Sequence, residues 1–179
     1  MHMATRTRPW TRADLARLPD DGNRYEVLDG ELFVTPQAGV PHQYVATELA
    51  RRLAAYCQRH ALGFVVGPGA VPFGKNELQP DVQVVPVAPS HLPDTWEALP
   101  LPTLVVEVLS DSTGRRDRGK KRDSYLRLGI PEYWIVDIGA RAVTVVRPGL
   151  PDARLTGRLR WQPRAAIRAL EIELDKIFP

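Results

Sequence analysis

A mixed α/β fold, with one mixed sheet flanked by helices, is predicted by three features of the sequence. Residues 103–109 (TLVVEVL) form a nearly continuous apolar run, as expected of a strand buried on both faces. Within residues 42–61, Val45, Leu49, Leu53 and Cys57 recur at i+4 spacing, the pattern of an amphipathic helix. Residues 24–34 place Asp29-Gly30 between RYEVL and ELFVT, and an Asp-Gly pair between β-prone runs is a strong hairpin signal.

The remaining elements follow in order. Thr11 opens a short helical pattern with Asp14 as its capping partner, and Pro19 to Gly22 end it. Residues 1–23 are thus expected to be a helical lead-in to a single domain spanning 24–179. Gly63 is expected to close the long helix. Short strands are expected at 64–66, 70–73 and 81–87. Residues 88–102 hold Pro89, Pro93, Pro100 and Pro102, and read as a long irregular connection of the kind that often borders a site. A second helix is expected over 115–128, capped by Gly129 and followed by Pro131. Strands at 132–137 and 142–147 join through a turn at Gly139, and residues 169–178 alternate before turning helical.

The chain has 179 residues, 44% hydrophobic and 25% charged, which is ordinary for a globular domain. No apolar run approaches the roughly 20 residues that span a bilayer, so a membrane role is not expected. No N-terminal stretch has the pattern of a secretory leader. The single cysteine, Cys57, lies on the apolar face of a helix and fits a reducing cytoplasm. The net charge of +3 is uneven. Residues 115–123 hold six basic and two acidic side chains, and residues 152–168 hold five arginines against Asp152. Such stretches can steer a polyanion. Taken alone they are more often solubilising surfaces.

Glu107 most needs a chemical reason. A carboxylate in a buried strand is costly unless it is paired or metal-bound. Alternation places Val105, Glu107 and Leu109 on one face, and Leu104, Val106 and Val108 on the other. Asp81 follows Pro80 at the start of the strand DVQVV and shares a face with Gln83. If these strands are neighbours, the two carboxylates converge, and a divalent cation relieves their repulsion. Mg²⁺ suits such a pair because it takes few carboxylates and keeps several waters. Asp117, Lys121 and Tyr125 share a helix face, so Lys121 can come back over the sheet towards that point. A structural ion pair between Glu107 and Lys121 explains either residue singly, but the three together favour a site. Glu31, His42, Gln83, Asp117 and Lys120 are secondary candidates. Glu48 is expected to pair with Arg51 or Arg52 on the surface. Tyr125, Tyr133 and Trp134 are expected in the core. No Cys/His zinc spacing, phosphate-cradling glycine loop or GxSxG elbow occurs.

Several stretches resemble the Uma2 family of the PD-(D/E)XK nuclease superfamily. They are YEVLDGEL (25–32), His42, QPDVQVV (79–85), LVVEVLSDST (104–113) and DRGKKRDSYLRLGIPEYWIVD (117–137), in that order. The resemblance implies a restriction endonuclease-like core with an N-terminal hairpin extension. It implies that Asp81 and Glu107 bind Mg²⁺ or Mn²⁺, with Lys121 as the third catalytic residue. The superfamily pattern places lysine two residues after the glutamate, where this chain has Leu109. Here the following helix supplies it, with Lys120 as a close competitor to Lys121.

The expected activity is Mg²⁺-dependent hydrolysis of phosphodiesters, in DNA rather than RNA. Arg115, Arg116, Arg118 and Arg122 are expected to grip phosphates. A homodimer is compatible with cutting two strands. The alternatives are an inactive nucleic-acid-binding or structural relative, and a small-phosphoester hydrolase whose site is closed by the 88–102 segment.

Overall fold

The structure is a computed structural model that describes residues 8–110 and 117–179. The central layer is a six-stranded sheet ordered β10-β9-β8-β7-β6-β3. Its strands are β3 (Phe64–Val66), β6 (Val82–Val85), β7 (Leu104–Val108), β8 (Tyr133–Asp137), β9 (Ala142–Val146) and β10 (Ala153–Leu155). Only β7 and β8 pair in parallel within this sheet, so the chain between them must cross over one face. That crossover carries a π-helical turn, Asp117–Lys121, and then α2 (Arg122–Leu128).

A second, antiparallel sheet is ordered β2-β1-β5-β4, from β1 (Arg24–Leu28), β2 (Glu31–Thr35), β4 (Val71–Phe73) and β5 (Asn76–Leu78). β1 and β2 form the expected hairpin, with Leu28 opposite Glu31. Asp29 and Gly30 both adopt left-handed backbone, φ 50° and 85°, as a two-residue type I′ turn requires.

The two faces of the central sheet have separate cores. On one, α1 (Val40–His60) lays Val45, Leu49 and Leu53 against Val82, Val84, Leu104 and Val106. The hairpin of β11 (Arg158–Trp161) and β12 (Leu170–Glu173) covers the same face, and Trp161 meets Trp134 edge to face. On the other, Val105, Tyr133 and Ile135 meet Tyr125 of α2, Leu28 of β1 and Leu78 of β5. Glu107 shares the face of Val105, so it points into the layer formed by α2 and the second sheet.

Several elements depart from the expectation. α1 ends at Ala61 rather than at a glycine, and Ala61 takes φ 49°. Gly63 serves another purpose, because a Cβ there would lie 1.9 Å from the carbonyl oxygen of Val85. β5, β10 and β11 were not anticipated, being short and polar. The second helix begins as a π turn rather than as regular α-helix. The 88–102 segment contains two short 3-10 turns, Pro89–His91 and Trp96–Ala98. The lead-in is likewise a 3-10 helix, Arg12–Arg17, closed by the expected Thr11 and Asp14 capping box. Among the described residues, no helix is long and apolar enough to cross a membrane.

Candidate functional site

The site forms where β6 and β7 run side by side. Val82 pairs with Val106 and Gln83 with Val105, so the register continued by one residue sets Asp81 opposite Glu107. The Val108 amide donates to Asp81 Oδ2 at 2.8 Å, which ties the carboxylate across to β7. The two strands are thus neighbours, with Asp81 and Glu107 at the same end of the pair. Close packing fixes Asp81 from behind: a Cβ on Gly67 would lie 1.9 Å from the Asp81 carbonyl oxygen.

Arg24 and the His42 imidazole flank Asp81. Arg24 Nη1 donates to Oδ1 at 2.7 Å and also to the Gln79 carbonyl at 3.1 Å. His42 Nε2 lies 3.2 Å from Oδ2. Burial pushes the Asp81 carboxyl up, but the His42 hydrogen bond and the Arg24 charge outweigh it and hold the pKa at about 2. Burial likewise opposes the charge on Arg24, yet Asp81, Glu107 and Glu26 together raise its pKa.

Glu107 belongs to a fully buried cluster. Lys121 Nζ lies 2.6 Å from Glu107 Oε1 and 2.8 Å from Glu26 Oε1. Tyr125, one turn beyond Lys121, donates its hydroxyl to Glu107 Oε1 at 3.1 Å. Burial, and then the Glu107 charge, raise the Tyr125 pKa well above its usual value, so it donates at neutral pH. The Gln79 amide donates to Glu26 Oε1 at 2.8 Å. A lysine at 0% exposure between two carboxylates satisfies the rule that buried charges are paired.

The expected site residues thus divide. Asp81, Glu107, Lys121 and His42 are brought together. Lys120 is not: it is half-exposed and pairs with Glu31 at 2.6 Å. Glu31 lies on an edge strand, is 56% exposed and pairs with Lys120 rather than with Asp81 or Glu107. Gln83 is buried, but it is committed to the Gly69 carbonyl at 3.0 Å. Arg118 pairs with Asp137, and Arg122 with Asp152 and Asp123. Arg115, Arg116 and the side chain of Asp117 lie outside the described residues. Among the described residues no three His, Cys, Asp or Glu side chains form a metal-holding group.

Arg24 and Glu26 were not anticipated. The alternation of RYEVL puts Arg24, Glu26 and Leu28 on one face, and in the fold the central sheet buries that face. In the second basic stretch, Arg158 and Arg160 stand opposite Glu173 and Glu171 across the β11–β12 hairpin. Glu48 pairs with Arg51 and Arg52, and Tyr133 and Trp134 are in the core, as expected.

A family profile described as "Uma2: Putative restriction endonuclease" matches residues 12–175. The chain belongs to the Uma2 family. Among solved structures it is similar to one described as a putative nuclease belonging to DUF820 from Anabaena variabilis. The two share 19% identity, 95% of this chain and 98% of that one are covered, and the TM-score is 0.75. At that identity the likeness shows a shared fold. No curated protein matches the chain.

Proposed function

We propose that this Uma2 chain is a divalent-metal-dependent nuclease that hydrolyses phosphodiester bonds of DNA. The observation that carries the reading is the pairing of Asp81 and Glu107 across adjacent strands, with the Lys121 ammonium held on Glu107. The family description and the nuclease-like fold support it.

The donor chemistry fits a hard cation. Asp81 is ionised across the physiological range, Glu107 stands beside it where β7 pairs with β6, and Mg²⁺ or Mn²⁺ takes one or two carboxylates while keeping waters for a phosphate. Asp81 and Glu107 would hold the ion. When bound, it supplies Lewis acidity towards the phosphoryl oxygen and acidifies water for attack.

The chain's own residues do the rest. Glu26 and Glu107 fix the ammonium of Lys121, whose positive charge offsets the negative charge that grows on the phosphoryl oxygens. Tyr125 holds Glu107 in place from the same helix. Arg24 and His42 keep Asp81 charged and oriented. Arg118 and Arg122 lie on the crossover, and exchanging their ion pairs with Asp137 and Asp152 for flanking phosphates would make binding weaken as salt rises. The site and its supporting shell draw on both sheets and on α1, consistent with a single domain.

One observation favours a structural role instead. Both Asp81 oxygens already accept from protein donors, which is what a purely stabilising cluster would require.

The test is nicking of supercoiled plasmid with Mg²⁺, Mn²⁺ or EDTA, comparing the parent with Asp81→Asn and Glu107→Gln. Metal-dependent nicking that both substitutions reduce by roughly 10²-fold or more is expected. Nicking that survives both substitutions, or ignores EDTA, would refute the mechanism.

A further inference from the structure

A cavity of about 280 Å³ opens directly beside Asp81. Asp81 and Arg24 line its inner end. One wall is the face of α1 bearing Gln43, Ala46, Thr47 and Ala50. The other is the segment Pro36, Gln37 and Ala38, with Gly67 and Pro68 beyond. We propose that this cavity receives a single unpaired nucleobase next to the bond to be cut. The substrate is then DNA that is single-stranded, bulged or able to turn one base out of its stack. This inference rests on the nuclease reading above and names the substrate form for the same site.

Three features argue for a base rather than a phosphate or a second metal ion. The first is the available cation. Arg24 is the sole charged donor among the lining residues, and it is committed to Asp81 and the Gln79 carbonyl. A phosphate pocket needs a positive charge to spare.

The second is the chemistry of the walls. Gln37 and Gln43 each carry an amide with both donors and an acceptor, and Thr47 adds a hydroxyl that does either. All three are exposed, so their polar ends can meet an incoming group. A base edge offers that same mixture of donors and acceptors. Ala46, Ala50, Pro36 and Pro68 supply small apolar surfaces against which a flat ring can lie.

The third is size. Small-ligand cavities run from about 300 Å³ upwards. A cavity just under that limit admits one heterocycle but no stacked base pair, so its occupant must leave the duplex, as bases do in enzymes that extrude them. Around the helix from this wall, Val40 and Tyr44 are 83% and 48% exposed, which leaves apolar surface for a neighbouring base.

The test reads binding apart from cleavage. Fluorescence anisotropy in EDTA compares a labelled short DNA strand, the same strand fully paired, and a duplex with one bulged nucleotide. The full chain is used as parent, Thr47→Trp, which fills the cavity, and Gln43→Ala, which removes an amide. Both positions are exposed on a helix, and a melting curve verifies that each variant folds. The expected result is binding of the unpaired and bulged probes about ten-fold tighter than the paired one, with the difference erased by Thr47→Trp and reduced by Gln43→Ala. Equal binding of all three probes, or a preference untouched by both variants, would overturn the proposal. Selective binding without cleavage under Mg²⁺ or Mn²⁺ would sink the nuclease reading and leave the base pocket standing. Nicking of duplex DNA at the rate of unpaired DNA would sink the pocket and leave the nuclease.

Discussion

Lys120 and Lys121 are adjacent in sequence and each meets a carboxylate at 2.6 Å, yet their surroundings predict very different energies. Lys120 is 52% exposed and its partner Glu31 is 56% exposed. A surface pair of this kind contributes about 0.2–1 kcal/mol. Lys121 has 0% exposure and sits between Glu26 and Glu107, which are almost as deeply buried. Replacing it with methionine keeps the packing volume but leaves two carboxylates without that countercharge. Breaking a buried pair by removing one partner costs about 3–5 kcal/mol. In a domain of this size each kcal/mol moves Tm by roughly 2–4 °C. Lys121→Met should therefore lower Tm by roughly 6–20 °C, and Lys120→Met by less than about 4 °C. The assay is calorimetric melting at neutral pH in EDTA. Adding Glu107→Gln to Lys121→Met should recover part of the loss, because one of the two stranded charges is removed. Equal shifts for the two lysines would refute the reasoning, as would a Lys121→Met loss no larger than that of a surface pair.

Two further outcomes follow from the surroundings of Asp81. Its carboxyl, ordinarily near 3.8, is held at about 2, so its contribution is complete above the unfolded value and is lost as pH falls through the folded one. In urea unfolding, the stability gap between the parent and Asp81→Asn should narrow by about 2 kcal/mol between pH 5 and pH 2, and a constant gap would contradict the assigned partners. Gly67→Ala should displace the start of β6, since its Cβ would meet the Asp81 carbonyl oxygen at 1.9 Å. A loss of about 1–3 kcal/mol is expected with weakened cleavage, and a melting curve unchanged from the parent would show that the backbone yields at no cost.

The parts of the fold that were legible in the sequence were those with strong periodicity. The alternation of β7 predicts which side Glu107 faces, and the structure packs Val105 and Val106 into opposite cores. The helical spacing of Lys121 and Tyr125 predicts that both reach one point, and both meet Glu107. Arg24 and Glu26 escaped because hairpins are commonly solvated on one face. Nothing within RYEVL says that another sheet will cover it. β5 escaped for a related reason: three residues containing Asn76 and Glu77 are too short and too polar to show alternation, and their pairing with β1 is decided by tertiary packing. Linear charge density could not show that Arg158 and Arg160 of β11 stand opposite Glu173 and Glu171 across the hairpin. Ala61 could not be foreseen as a helix end, since alanine rarely adopts left-handed backbone.

The π-helical turn at Asp117–Lys121 marks a change of phase along the crossover. A π turn closes its rings over five residues rather than four, so it holds surplus chain that a regular helix would not. Removing one residue there would let the backbone rewind as continuous α-helix. Side chains at the start of the turn would then swing by about 100° about the axis. Lys121 and Tyr125, one regular turn apart, would keep their mutual geometry. Arg118 lies on the swinging side and would leave Asp137. A one-residue change of length in the turn is thus taken up before Lys121, and the reach of Lys121 and Tyr125 to Glu107 is kept.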